Sequence, residues 1–158
     1  MCRFKPVLWM TSSKDYKGKP MVFSAGNDIR IPVESAIQGA WGLLVAAGMA
    51  GDHHRLPLVV LATTLAQRGV SCRSLGADLP PTALATAIRR TAPAALLLWS
   101  QLRSTADAQI VRSLPRTRPG YRGFVAGPGW AGVDLPPQIG RLGSLEEATD
   151  ALSAAATG

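Results

Sequence analysis

Lysine vanishes from this chain after residue 19, and 158 residues contain only two cysteines, two histidines and few aromatic side chains. Cys2 and Cys72 are too few for a disulfide framework or a four-thiolate metal site, and they imply a reducing, cytoplasmic setting. No apolar run approaches the roughly 18 residues of a membrane span; the longest, 43–50 and 92–99, have the length of buried strands. The first ten residues carry charge but no apolar stretch of signal-peptide length and no small-residue cleavage site, which argues against secretion. Gly-x-x-x-x-Gly-Lys and Gly-x-Ser-x-Gly are both absent, so neither a phosphate loop nor a hydrolase elbow is present. Cys-x-x-Cys and His-x-x-x-His are absent too. Asp52, His53, His54 and Cys72 make a zinc site only on paper, because adjacent histidines point apart. Internal repeats and heptads are likewise missing.

What is present is enough for one domain. At this length a chain buries about 68–70% of its unfolded surface, and a hydrophobic content of 47% supplies the core. The formal charge of +7 is uneven: residues 1–30 hold six Lys/Arg against two Asp/Glu, a surplus of four, and the remainder adds three. The composition shift predicts a boundary near residue 30. Before it lies an irregular basic leader, a solvated tail by its scattered Gly, Pro, Ser and Asn, although basic tails also attract polyanions. Residues 32–38 have room for two turns of helix.

From residue 41 onward strands and helices alternate. A short apolar strand over 41–47 runs into Asp52-His53-His54, and Pro57 with Leu58, Leu61, Ala62 and Leu65 predicts a helix that stops at Gly69. A half-covered strand over 70–75 follows, then Asp78-Leu-Pro-Pro and a helix with Leu84, Ala87, Ile88 and Thr91 inward. The continuous apolar run 94–99 reads as a strand covered on both faces. A helix over 105–114, a strand at 124–126, an edge strand at 139–142 and a final helix opened by a Ser144/Glu147 capping box complete the set. Five such alternations predict a flavodoxin-like, doubly wound α/β fold with a five-stranded parallel sheet of order 2-1-3-4-5. His54 and Ser100 should then flank the crevice between the first and third strands of that sheet.

Three loops, after the first, third and fourth strands, carry the chemistry: Asp52-His53-His54-Arg55-Leu56-Pro57, Ser100-Gln101-Leu102 and Gly127-Pro128-Gly129. Together they resemble the signature of cobalamin-binding domains, Asp-x-His-x-x-Gly, then Ser-x-Leu, then Gly-Gly. The strings Gly76-Ala-Asp-Leu-Pro-Pro, Leu98-Trp99-Ser100-Gln101 and Ala126-Gly-Pro-Gly-Trp130 are similar to the cobalamin-binding part of actinobacterial MerR-type transcriptional regulators, which include light-responsive repressors using adenosylcobalamin. The resemblance covers residues 41–155. It implies His54 as the lower axial ligand of cobalt, replacing the cofactor's own dimethylbenzimidazole, with Asp52 bonded to the other imidazole nitrogen. It implies Ser100, in the Ser-x-Leu pair with Leu102, as a partner of the displaced benzimidazole, and Gly127 and Gly129 as places of close backbone approach. His53 and Arg55 are expected beside the corrin, and Trp130 as a lid or packing residue; Trp99 is expected in the core.

The chain departs from the pattern at three points. Pro57 stands where the motif has glycine, Pro128 interrupts the glycine pair, and of the helical cap that precedes the sheet domain only a remnant at 31–40 is expected, with Glu34 but no following His. Residues 41–158 are expected to form the cobalamin-binding domain. The function implied is a sensory or regulatory module for cobalamin in its adenosyl, methyl or hydroxo form, bound base-off with histidine on cobalt. It would work through a protein partner or a homo-oligomer, because the chain has no DNA-reading motif and no membrane segment. A corrinoid carrier for methyl transfer or mutase chemistry is the alternative from the enzyme class. A scaffold that binds no cofactor is the third.

Overall fold

The computed structural model describes residues 21–24, 27–32 and 42–157. Two units divide the chain, residues 1–40 and Trp41–Gly158. In the first, β1 (Met21–Ser24) pairs antiparallel with β2 (Asn27–Pro32), so a hairpin stands inside the segment expected to be irregular. Val22 and Phe23 in β1, with Ile29 and Ile31 alternating in β2, are the local signal that the loop-forming composition obscured. Ile31 and Pro32 of the expected cap remnant belong to β2, and the rest of that remnant lies outside the described residues.

The second unit contains β3 (Leu44–Gly48), α1 (Leu56–Gln67), β4 (Cys72–Ser74), α2 (Pro81–Thr91), β5 (Ala95–Trp99), α3 (Ala108–Arg112), β6 (Arg122–Ala126), β7 (Ile139–Leu142) and α4 (Leu145–Thr157). Its five strands are all parallel and lie in the order β4-β3-β5-β6-β7, the flavodoxin-like order 2-1-3-4-5. Alternate residues feed two cores. Leu44, Ala46, Ala95 and Leu97 pack with Leu58, Leu61 and Leu65 of α1 and Leu152 of α4. Val45, Ala47, Leu96, Leu98 and Val125 face Leu84 and Ile88 of α2 and Val111 of α3. Burial on both faces is why the central strands are uninterrupted apolar runs.

Local chemistry sets the ends of the elements. α1 begins with proline in its first turn and stops before Gly69, whose φ is +73°. The helix expected over 105–114 shrinks to five residues, because Asp107 caps it by accepting from the Gln109 N–H at 2.7 Å and Thr105 bonds into the preceding loop. At α4 the Ser144 hydroxyl accepts from the Glu147 N–H at 3.0 Å, while the Glu147 carboxylate reaches back one residue further, to the Gly143 N–H at 2.7 Å.

The chain order reverses between β3 and β5. A β3 strand that connects outward to β4, beside a β5 strand that starts the opposite half, leaves a crevice at their carboxyl ends. The Met49 N–H donates to the Trp99 carbonyl at 2.9 Å across that crevice, fixing the two exit loops against each other.

Candidate functional site

Asp52 is buried at the mouth of this crevice, and every hydrogen bond of its carboxylate falls within the two loops that follow β3 and β5. Its Oδ1 accepts the His54 backbone N–H at 3.0 Å and lies 2.8 Å from His54 Nδ1. Its Oδ2 accepts the Gln101 backbone N–H and the Thr105 hydroxyl, the latter at 3.2 Å. Burial pushes this carboxyl up, but the donors from His54, Gln101 and Thr105 outweigh it and hold the group below its ordinary value. A carboxylate kept ionised makes Nδ1 the protonated nitrogen of a neutral His54, so Nε2 keeps its lone pair. The His54 side chain is 49% exposed, and such an imidazole is equipped to donate to a metal or accept a proton.

The two histidines separate as adjacent residues must. His53 is exposed, and its Nδ1 lies 3.8 Å from Asp78 Oδ2. Asp78 holds the same loop from the β4–α2 side: its Oδ1 accepts the Gly51 N–H at 2.7 Å and its own N–H donates to the Asp52 carbonyl at 2.8 Å. It does so at φ 52°, a left-handed conformation that Asp tolerates better than most residues. Arg55 is exposed at the start of α1.

Ser100 is completely buried, and its hydroxyl is engaged within its own loop. It donates to the Leu102 carbonyl at 2.9 Å and lies 2.6 Å from Thr105 Oγ1. The Leu102 side chain is exposed. Gly127 and Gly129 bring the β6 exit loop onto this one. A Cβ on Gly127, at φ +106°, would stand 2.3 Å from the Ser100 carbonyl oxygen, and one on Gly129 would stand 2.4 Å from that of Leu102. The backbone approach that both glycines serve in this structure is therefore between two loops of the protein itself. Trp130 is fully buried in the α2/α3 core, a packing residue and not a lid.

On the other face of the sheet an apolar cavity of about 590 Å³ opens between the starts of α1 and α4 and the ends of β5, β6 and β7. Leu56, Val60, Leu97, Trp99, Gly127 and Leu145 are among its walls. Its volume falls in the range of small-molecule sites, roughly 300–1,000 Å³. Three of the four exposed large apolar side chains of the described residues, Leu56 (72% exposed), Val60 and Leu145, line it. Leaving such side chains in water is unfavourable by about 25 cal/mol per Å², so an occupant that covers them is stabilised. Trp99, expected in the core, is half-buried in this wall with its Nε1 hydrogen-bonded to nothing. Ser100, Gly129 and Trp130 are not among the lining residues, whereas Gly127 is. His54 lies two residues before the first of them, Leu56.

Thr105, Asp78 and the apolar collar were not singled out by the sequence. Leu56 left a trace, a large apolar residue between Arg55 and Pro57 outside the helical stripe of Leu58, Leu61 and Leu65. Among the described residues no group of three or more His, Cys, Asp or Glu is arranged to hold a metal ion by itself. No helix among them is long and apolar enough to cross a membrane.

No protein-family model and no curated protein matches the chain. Solved structures do. The methanol:cobalamin methyltransferase complex MtaBC from Methanosarcina barkeri superposes with a TM-score of 0.55 at 16% identity, over 73% of this chain and 48% of that one. The monomethylamine corrinoid protein of Methanosarcina barkeri gives a TM-score of 0.53 at 16% identity, over 74% of this chain and 58% of that one. The match thus spans about half the length of these neighbours, and what they share with this chain is the fold.

Proposed function

We propose that this chain is a corrinoid-binding module that takes cobalamin base-off, with His54 Nε2 as the lower ligand of cobalt and the displaced nucleotide tail in the cavity between α1 and α4. One observation carries the reading: the buried Asp52 carboxylate holds His54 Nδ1 at 2.8 Å, which leaves Nε2 of a half-exposed imidazole unpartnered, two residues ahead of Leu56 in the wall of an apolar cavity. A surface histidine needs no such support. A metal-binding histidine does, because a carboxylate on the far nitrogen fixes the tautomer and raises the basicity of the near one.

The residues fit the group by their chemistry. The cavity is apolar, as a benzimidazole requires, and Trp99 is part of its wall. Bound cobalamin would supply cobalt–carbon bond chemistry; the chain's own residues would bind it, orient it and keep the imidazole in one tautomer. Thr105 and Gln101 hold the Asp52 carboxylate, and Asp78 holds the loop between. Ser100 serves this arrangement as part of the wall behind Asp52, through Thr105.

The sensory or regulatory use of such a module, through a protein partner, rests on the Leu98-Trp99-Ser100-Gln101 and Ala126-Gly-Pro-Gly-Trp130 strings. The carrier reading is favoured by the names of the fold neighbours, one a cobalamin methyltransferase complex and the other a corrinoid protein. Incubation with hydroxo-, methyl- and adenosylcobalamin in the dark, followed by gel filtration and visible spectroscopy, tests the reading. The expected result is co-eluting cobalamin with a base-off, histidine-ligated spectrum that His54→Ala abolishes. No co-elution at high micromolar cofactor overturns it. Methyl transfer from the bound methyl form to a thiol acceptor selects the carrier; a light- or ligand-dependent change of oligomeric state selects the sensor.

A further inference from the structure

Between Leu79 and Val133 the chain carries seven arginines and a single acidic residue, Asp107. The topology collects five of the seven at one pole. Arg89 and Arg90 lie in the last turn of α2, just ahead of β5. Arg116 and Arg118 lie in the loop that leads into β6, and Arg122 is the first residue of β6, in register with Ala95 at the start of β5. All five are exposed. Both segments stand at the amino ends of the adjacent strands β5 and β6, and so at the opposite end of the sheet from His54. Asp107 caps the start of α3 and belongs to the other end.

Paired arginines occur elsewhere: Arg68 with Asp150 and Arg112 with Asp134. Among the described residues none of the five has a carboxylate partner. Arg89 and Arg90 also complement the carboxyl end of α2, worth about 0.3–1 kcal/mol each at a surface. No helix end accounts for Arg116, Arg118 and Arg122. Unpaired like charges crowded at one pole repel, and the cluster is relieved by an anionic surface.

We infer that this arginine pole docks the phosphate backbone of nucleic acid, without reading its sequence. A protein partner would need a desolvated apolar anchor at the centre of its contact. The exposed large apolar side chains of the described residues, Leu56, Val60, Leu102 and Leu145, are all at the other end of the sheet. The pole offers instead guanidinium forks with Tyr121 half-buried between Arg118 and Arg122, and such forks match phosphate oxygens two at a time.

Fluorescence anisotropy of the full chain with a labelled mixed-sequence DNA duplex and an RNA of equal length, across a salt series, tests this. Affinity is expected to be independent of sequence and to fall steeply with salt, since each neutralised phosphate contributes about 0.9 to the logarithmic slope on duplex DNA. Replacing Arg116, Arg118 and Arg122 by glutamine should weaken binding at least tenfold and reduce the slope by two to three, about one per phosphate contact. Arg89→Gln with Arg90→Gln, on a separate element, should act in the same direction, and matching thermal melts exclude unfolding as the cause. No binding at low salt overturns the proposal. So does binding that survives both arginine sets but is lost when Lys5, Lys14, Lys17 and Lys19 become glutamine, or polyglutamate binding without DNA or RNA binding, which assigns the pole to an acidic protein.

Discussion

Asp52 grips His54 twice through one oxygen, accepting the backbone N–H at 3.0 Å and facing Nδ1 at 2.8 Å. A residue two positions away thus sets both where the imidazole sits and which nitrogen is free. Asp52→Asn removes the charge and one acceptor. It should cost about 1–3 kcal/mol, since buried donors are left with a poorer partner. The ring nitrogens of His54 should lose their single Nδ1–H tautomer, read from nitrogen chemical shifts. Because the folded carboxyl lies below its ordinary value, its stabilisation is complete above that value and is lost as pH falls through the folded one. Urea unfolding between pH 6 and pH 2 should therefore show an acid loss in the natural protein that the Asn variant lacks.

Asp78 is the latch on the same loop. Asp78→Gly keeps the left-handed backbone and deletes the bond to the Gly51 N–H; Asp78→Ala deletes the bond and adds strain. The alanine variant should be less stable than the glycine variant by about 1–2 kcal/mol, the cost of a left-handed Cβ. Amide exchange at Gly51 should rise in both. Protection unchanged at Gly51 would mean the loop is held by other contacts.

Gly127 and Gly129 are where two exit loops meet with no room for a methyl group. Gly127→Ala should destabilise by about 2–4 kcal/mol, combining a close contact with the Ser100 carbonyl and a positive φ. Gly129→Ala, with the contact alone, should fall short of it. Denaturant midpoints at constant m decide both.

The sheet was legible because its pattern is redundant: 95–99 is apolar throughout and bracketed by Pro93 and Ser100, and Pro57 and Gly69 punctuate α1 from either side. The hairpin at 21–32 was missed because its alternation is short and interrupted by loop-forming residues. Local motifs located Asp52 and His54 but left three things unseen. Thr105 touches Asp52 across 53 residues, a partnership no local spacing encodes. The direction of the Ser100 hydroxyl depends on a neighbouring loop, and the cavity wall gathers residues from both helices and three strand ends. Such features come from packing distant segments together.

Cys72 illustrates a group whose environment settles its chemistry. Burial pushes its thiol up to about 12, far from the thiolate that reacts with disulfides and alkylating agents. Mass mapping after iodoacetamide treatment at pH 8 should find Cys72 unmodified in the folded protein and modified in denaturant. Modification at equal rates in both states would place the thiol at the surface.

Filling the cavity separates the two halves of the proposed site. Ala131 is exposed and lines the cavity, so Ala131→Trp adds an indole there while leaving stability within about 0.5 kcal/mol, as surface substitutions do. Cobalamin carries a nucleotide tail and cobinamide does not. If the tail occupies this cavity, the tryptophan variant should lose cobalamin at least tenfold while keeping cobinamide, because His54 and its carboxylate stand outside the filled space. Equal loss of both would mean that the cavity holds the corrin itself, and no loss of either would put the tail elsewhere.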